Sequence, residues 1–581
     1  MAGLFDTFTV AKRGLFVQQG NINTTSHNIA NAQTPGYSRQ RANVVTTRPF
    51  GGNSKFDSCA YGQIGTGAQI TQINRIRNEF IDYQVRTETT NQGTLNSTYQ
   101  YLYQVEDILN ETTSTGIQGA LREFYDAFQE LSKAPEKDSN RTVALKKAET
   151  LANALNTRYN QLESKKEDAQ KELKNEVCEI NDMLDKINDL NKQISRVSAI
   201  GMQPNDLLDS RDYLIDQLSE KFGVKIDKQN NNTIDLSSSE GLDKVGVLVN
   251  SNPNGEYNRF SYVNSVIPEY DANNKITKLT VVYNKLGDEN SQDSFEIKNG
   301  NLEEIKKQLE QDRILVANQK GEVTADSYKI FNSDQCDITK GSIAGKQQVQ
   351  DTIQGYMDEL DKFAAAFAYS VNAIQTGTTG QTGSTPPESL KDAALLFVVA
   401  DSQPKTDEKI TAKNITINSD IEKDLSLLNC GEKHVDDFSG EKDGTRALAI
   451  AQLSSLKINI GSLKLDDIQS RSDFFEKSNL KFEDTKCMNL KSTDATGSKL
   501  NDYYASTISK LATATSEAKT ALSTQSILLA NLENQRLSES GVSLDEEMSD
   551  LIQFQHSYQA NAKMISTVDE LLDVVINGLK R

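Results

Sequence analysis

The sequence predicts an α+β multidomain protein, with coiled-coil-like terminal helices and a long helical bundle carrying a projecting β-rich insert. Three observations carry this. Both ends place apolar residues at alternating steps of three and four. A longer seam of the same kind runs from Leu155 to Val197, far beyond a globular helix of roughly 8–20 residues. Between them, from about residue 222, short alternating segments replace the helical period. At 581 residues the chain exceeds one core of roughly 100–200 residues. Three domains are expected: 1–50 with 541–581 as terminal helical arms forming an inner tube domain, 51–222 with 441–540 as the long bundle, and 223–440 as the outer insert, in one or two subdomains.

The N-terminal arm has a seam of Leu4, Phe8, Ala11, Leu15, Ile22 and Ile29. The C-terminal arm repeats it with Met548, Leu551, Tyr558, Ala562, Ile565, Leu572, Ile576 and Leu579. Such stripes bury only against a partner helix. Residues 1–50 carry one acid and five bases, whereas 541–581 carry seven acids and three bases, so opposite charge adds to matching seams. We expect the arms to pair, and each to stay loose until neighbouring copies bury its seam, because isolated helices are marginal in water.

Ala134-Pro135 ends one helical stretch, and Asp138-Ser139-Asn140 opens the next. Gly201 and Pro204 end the long seam, and Asn205 or Asp206 is expected to cap a short helix through Leu218. The segment from Ile508 to Leu532 is a candidate antiparallel partner for the long helix. In the insert, strands are expected at 245–249, 260–267, 275–283, 313–317, 328–331, 395–399 and 410–417, with helices near 301–311 and 347–374.

Composition excludes several classes. A net charge of -19 suits nucleic acid poorly. No run of 18 apolar residues exists to span a bilayer, and the first residues lack a basic-then-apolar secretory signal. The five cysteines are scattered and the three histidines isolated, so no disulfide framework, metal site or imidazole-based triad is proposed, and no cofactor is expected. Gly341-Ser-Ile-Ala-Gly345-Lys346 falls one residue short of a phosphate loop and lacks the following Ser/Thr. Asp271-Ala-Asn273 lacks the later Gly and Glu of a calcium loop. Asp545, Glu546, Glu547 and Asp550 at a helix start are explained by the helix dipole, with Ser543 and Glu546 as a capping box.

Two motifs remain. Ser26-His-Asn28-Ile-Ala-Asn31-Ala-Gln-Thr34-Pro35-Gly36-Tyr37-Ser-Arg39 places side-chain amides where a helix ends and a Thr-Pro-Gly turn follows. Ser540-Gly-Val-Ser-Leu544-Asp-Glu-Glu-Met548 and Phe554-Gln-His-Ser-Tyr558-Gln-Ala-Asn-Ala562 sit in the other arm. Together they resemble the paired terminal signatures of bacterial flagellar axial proteins, the rod, hook and hook-associated family. Phe124 to Pro135, Asn205-Asp-Leu-Leu-Asp209-Ser-Arg-Asp212, Phe363 to Gln375 and Ala447 to Leu453 are similar to its hook-associated members.

The resemblance implies a structural, non-enzymatic part of the flagellum that joins hook to filament as a ring of copies. It implies export through the flagellar type III channel to an extracellular position. The implied partners are further copies, hook protein, a second hook–filament junction protein and a cytoplasmic export chaperone at the C-terminal helix. It puts the arm seams at the assembly interface, with Asn28, Asn31, Thr34, Pro35, Gly36 and Tyr37 as the motif turn. A filament-displayed adhesin or hydrolase with its activity in the insert is the alternative, and a cytoplasmic coiled-coil scaffold a third.

Overall fold

The computed structural model describes residues 4–48, 65–110, 116–272, 275–326, 328–331, 338–381, 384, 386, 390, 393–432, 442–483, 486–492 and 497–578. Leu579, Cys59, Gly62 and His434 lie outside them, as does the side chain of Leu4. In chain order come α1 (Leu4–Asn31), β1 (Gln40–Thr46), β2 (Ala68–Arg75), α2 (Glu79–Leu109), α3 (Ile117–Lys133), α4 (Asp138–Ala199) and α5 (Asn205–Lys221). Then follow β3 (Val224–Lys228), β4 (Ile234–Ser238), α6 (Leu242–Val245), β5 (Val247–Val249), β6 (Arg259–Tyr270), β7 (Ile276–Asn284), β8 (Gln292–Ile297), α7 (Leu302–Asp312), β9 (Ile314–Ala317) and β10 (Lys329–Ile330). The rest comprises α8 (Ser342–Thr376), β11 (Phe397–Val399), β12 (Ile415–Ile417), α9 (Ser419–Lys423), α10 (Thr445–Gln452), β13 (Lys457–Ile458), α11 (Arg471–Lys477), β14 (Leu480–Phe482), β15 (Leu490–Ser492), β16 (Ser498–Lys499), α12 (Leu500–Ser540) and α13 (Leu544–Gly578). This is a multidomain α+β chain with small sheets set among long helices.

The chain divides into two compact units, Met1–Leu95 with Lys174–Gly345 and Leu522–Arg581, and Asn96–Leu173 with Lys346–Ala521. The first holds the arms, the β1–β2 hairpin, α5, a three-stranded sheet in order β3-β4-β5 and a five-stranded antiparallel sheet in order β10-β9-β6-β7-β8. Alternate residues of β7 point into a core under α7, with Leu279, Val281 and Tyr283 meeting Phe295, Leu309 and Leu315. Asparagines on α4 fasten the strands. Asn181 Nδ2 donates to Phe260 O while its Oδ1 accepts from Phe260 N, and Asn191 treats Ile234 the same way. Each such amide completes a strand's unpaired backbone groups without another strand.

The second unit has one core. Phe124 of α3 contacts the rings of Phe128, Phe367 and Phe397. Phe363-Ala-Ala-Ala-Phe367 of α8 is buried on all sides, as a helix apolar all round must be. Asn372 on α8 repeats the amide device, bonding Phe397 through both N and O.

Several sequence expectations change. Asn205 does not cap α5; Pro204 holds that position with no side-chain cap, and Asn205 Nδ2 donates to Gln40 Oε1 and Ile73 O instead. The strand expected at 410–417 shortens to β12, because Asp361 and Asn156 take the backbone of the preceding turn. The segment 508–532 lies within α12, where Gln525 bonds Glu88 and Ser526 bonds Gln92 of α2. The Gly341–Lys346 stretch is a helix start. Gly341 (φ +102°) lies where a Cβ would stand 2.2 Å from Lys221 O, and Lys346 pairs with Glu172.

One buried acid in the second unit gives a pH prediction. Asp361 is 4% exposed and accepts a hydrogen bond from Ala412 N at 2.8 Å. Burial, reinforced by Asp358 and opposed by that N–H and by Lys413, pushes its carboxyl up to about 7. The folded state therefore holds this proton more tightly than the unfolded chain, whose Asp titrates near ~3.9. Stability from this group is full below the unfolded value and falls as pH rises towards 7. Asp361→Asn should stabilise the unit above pH 7 by up to about 4 kcal/mol, with the gain vanishing towards pH 4. Denaturant midpoints across that range check it; a gain independent of pH contradicts it.

Candidate assembly site

The site is the root of the two arms, all within the first unit. α1 ends at Asn31, where Asn31 Nδ2 donates to His27 O, and Thr34 donates to Asn31 through both N and Oγ1. Gly36 sits at φ +78°, and a Cβ there would stand 2.8 Å from the Tyr213 side chain. The turn thus needs glycine twice over, for its conformation and for its approach to α5. Pro35 pre-sets the turn, and Tyr37 N closes it on Thr34 O.

Asn28 is the centre of this root. It is 1% exposed, and its amide oxygen accepts from Gln40 N (2.9 Å) and the Tyr37 hydroxyl (2.8 Å). Its amide nitrogen donates to Gln40 O (2.9 Å) and to Glu547 Oε2 (3.0 Å). All four of its bonds are made. Because the Tyr37 hydroxyl donates to Asn28, its oxygen accepts from His27 Nδ1 at 2.9 Å. Burial, together with Asp206, Asp209 and Glu547, pushes the Tyr37 phenol up, so it stays a donor.

Glu547 corrects the sequence reading. Its side chain does not merely favour a helix N-terminus from solvent. It is 1% exposed and receives Arg39 Nε at 2.6 Å as well as Asn28. Arg39 reaches Glu546 at 2.9 Å and Asp550 at 3.6 Å, and its backbone N donates to Ser540 O. The opposite charges of the two arms therefore meet at one arginine. The expected capping contact, Glu546 N to Ser543 Oγ, is 3.5 Å and weak.

Below Arg39 lies an ionic hub. Asp209 on α5 accepts from Ser38 N (3.1 Å), Ser38 Oγ (2.8 Å) and Arg75 (2.9 Å). Asp212, one turn on, meets Arg75 at 2.7 Å, with Arg86 at 3.6 Å and Arg77 at 3.7 Å. Arg77 pairs with Asp82 at 2.6 Å, and Asp216 holds Arg86 at 2.6 Å and Arg536 at 2.8 Å. Burial alone would raise Asp212, but Arg77, Arg75, Arg86 and Arg211 hold it down at about 2. Burial wins at Asp209, pushing it up against Ser38 and Arg75. The hub binds Ser38, just ahead of β1, together with β2, α2 and α12 to α5. The Asn205–Asp212 stretch, which the sequence offered only as a resemblance, supplies two of its four acids, Asp209 and Asp212.

The arms themselves are α1 and α13, which pack against each other. Gly14 admits the Asn561 side chain, which stands 2.8 Å from where a Cβ would lie. Ala11 is buried, and Phe8, Leu15, Ile22, Ile29, Leu551, Tyr558, Ala562, Ile565 and Leu572 are half-buried. Met548 (49%) and Ile576 (66%) are exposed. Val568, absent from the sequence-derived seam, is buried. Each seam was expected to stay loose until neighbours arrive; the structure instead has both arms helical and paired within one chain. The reason is geometric, since Arg39, Asn28 and Glu547 bring the helix ends together.

Known proteins match this architecture. The model of the flagellar hook-associated protein FlgK helical domain matches residues 102–307, and that of the flagellar basal body rod FlgEFG protein C-terminal region matches 533–578. Flagellar hook-associated protein 1 of Bacillus subtilis is 30% identical over 590 residues, covering 100% of this chain and 99% of that one. The Salmonella typhimurium protein of the same name is 26% identical, with 98% of each chain covered. The flagellar hook junction protein FlgK from Burkholderia pseudomallei shares the fold, with a TM-score of 0.51 at 14% identity over 79% of this chain and 100% of that one. Paired arms on a motif turn, with a rod-type C-terminal helix, define a structural protein of the bacterial flagellum. The chain belongs to the flagellar hook-associated protein 1 family.

Proposed function

We propose that the chain joins the hook to the filament as a ring of copies, held together through its paired terminal helices. The observation that carries this is the apolar surface that the arm pair leaves uncovered. Phe5, Phe16, Ile552, Val574 and Ile576 are half to three-quarters exposed there although α1 and α13 already cover one another. Burying each such side chain is worth about 1.5–3 kcal/mol, which neighbouring copies would supply. Hook protein and a second junction protein are the partners on either side of the ring.

The export route fits a chain that unfolds. The described cysteines Cys178, Cys430 and Cys487 are free thiols, and no helix among the described residues is long and apolar enough to cross a membrane. A cytoplasmic chaperone holding the apolar face of α13 would keep it from aggregating before it leaves through the type III channel. The protein then acts outside the cell, without catalysis.

Deleting 545–581 in cells tests the reading. Filaments should fail to attach to hooks, and free flagellin should appear in the medium. Attached filaments on otherwise normal hooks would contradict it.

A further inference from the structure

The chain has three Asn-Gly pairs, Asn254-Gly255, Asn299-Gly300 and Asn577-Gly578. In such a pair the glycine nitrogen can reach the asparagine side-chain carbon unobstructed by a side chain of its own. Reaction requires that this N–H be free to leave its place. Gly255 N is held on Asn252 O at 2.9 Å, and Asn254 N on Asn252 Oδ1 at 3.1 Å. Gly578 belongs to the helical ladder of α13. Asn299 and Gly300 form the exposed bend between β8 and α7, and among the described residues Gly300 N donates no hydrogen bond.

We propose that Asn299 is a modification site, at which the side-chain amide is lost spontaneously in the folded protein. The Gly300 nitrogen gives its proton to water and attacks Asn299 Cγ. A new C–N bond closes a five-membered imide, and the Cγ–Nδ2 bond breaks to release ammonia. Water then adds to one of the two imide carbonyls. Opening on one side leaves aspartate; opening on the other leaves isoaspartate, with the main chain running through the former side chain. The balance is asparagine plus water to acid plus ammonia, with no oxidant or reductant. The product places a carboxylate just ahead of α7, whose capping residue Asn301 makes no side-chain bond to the helix backbone. A negative charge is favourable at that end. The mark accumulates with the age of the molecule.

The test is incubation of the full chain in mildly alkaline buffer, with peptide mapping by mass spectrometry and enzymatic methylation to count isoaspartate. Asn299 should convert about two- to tenfold faster than Asn254, the worth of one backbone hydrogen bond. In guanidinium the two rates should converge, since only the fold distinguishes them. Asn299→Gln should remove the isoaspartate signal of the 292–312 region. Equal rates in the folded chain, the same ratio in guanidinium, or an unchanged signal from the Gln variant would each overturn the proposal.

Discussion

Asp212→Ala should destabilise the first unit by about 3–5 kcal/mol, because it strips a buried counter-charge from three arginines at once. Arg75, Arg77 and Arg86 stand 2.7, 3.7 and 3.6 Å from its carboxylate, and without it each keeps a single close acid, Asp209, Asp82 and Asp216 respectively. The variant should also change how the unit responds to acid. Asp212 is held at about 2 in the folded state, below the unfolded value near ~3.9. Its contribution is therefore present above pH 4 and lost as pH falls from 4 towards 2, worth about 2–3 kcal/mol. Hydrogen exchange resolved by segment is the suitable readout, since two units need not unfold together. Protection should fall in α5, β1 and β2 of the variant, and its loss of stability between pH 4 and 2 should be smaller than the parent's by that amount. An unchanged acid profile would mean that the hub is not the charge-paired cluster described.

Leu572→Asp should abolish incorporation of the chain into the flagellum while leaving the second unit folded. Leu572 is half-buried in the arm pair, and Asp569 and Asp573 lie beside it in the sequence. The substitution loses roughly 1 kcal/mol of apolar burial, about half that of a fully buried leucine, and adds a fourth negative charge to 569–573, which already holds Asp569, Glu570 and Asp573. The end of α13 should fray in the isolated chain, seen as faster exchange from about residue 565 onward. Secreted variant without attached filaments is expected; junctions of normal number would show that this end of the arm is not used.

The arms were legible because their period is local. A stripe at steps of three and four fixes both helix and buried side within one segment, and Leu551, Tyr558, Ala562, Ile565 and Leu572 all fall on the covered side. The ends of that stripe drift. A seven-residue repeat slips by about 20° per heptad on a straight helix, and Met548 and Ile576 are four heptads apart. Both are exposed, while Val568 has turned inward. The root was not legible. Asn28 and Glu547 are separated by 519 positions, and Ser38 and Asp209 by 171. Neither pair leaves a trace in spacing, so Glu547 read as one more acid at a helix start. Asn181, Asn191 and Asn372 were missed for the same reason: a buried amide clasping a strand looks like any polar residue on a helix until the strand is beside it.

The central claim is that the exposed apolar side chains of the α1–α13 pair join one copy to the next. Replacing Ile552, Val574 and Ile576 together by glutamine tests it most directly, because these side chains are exposed and their loss should leave the isolated chain folded. The variant is expressed in cells lacking the native protein, and hooks are counted by electron microscopy. Helix content and exchange of the purified variant should match the parent, and hooks should stand bare of filament. Hooks that carry filaments at the parental frequency, from a variant with unchanged folding, would contradict the claim.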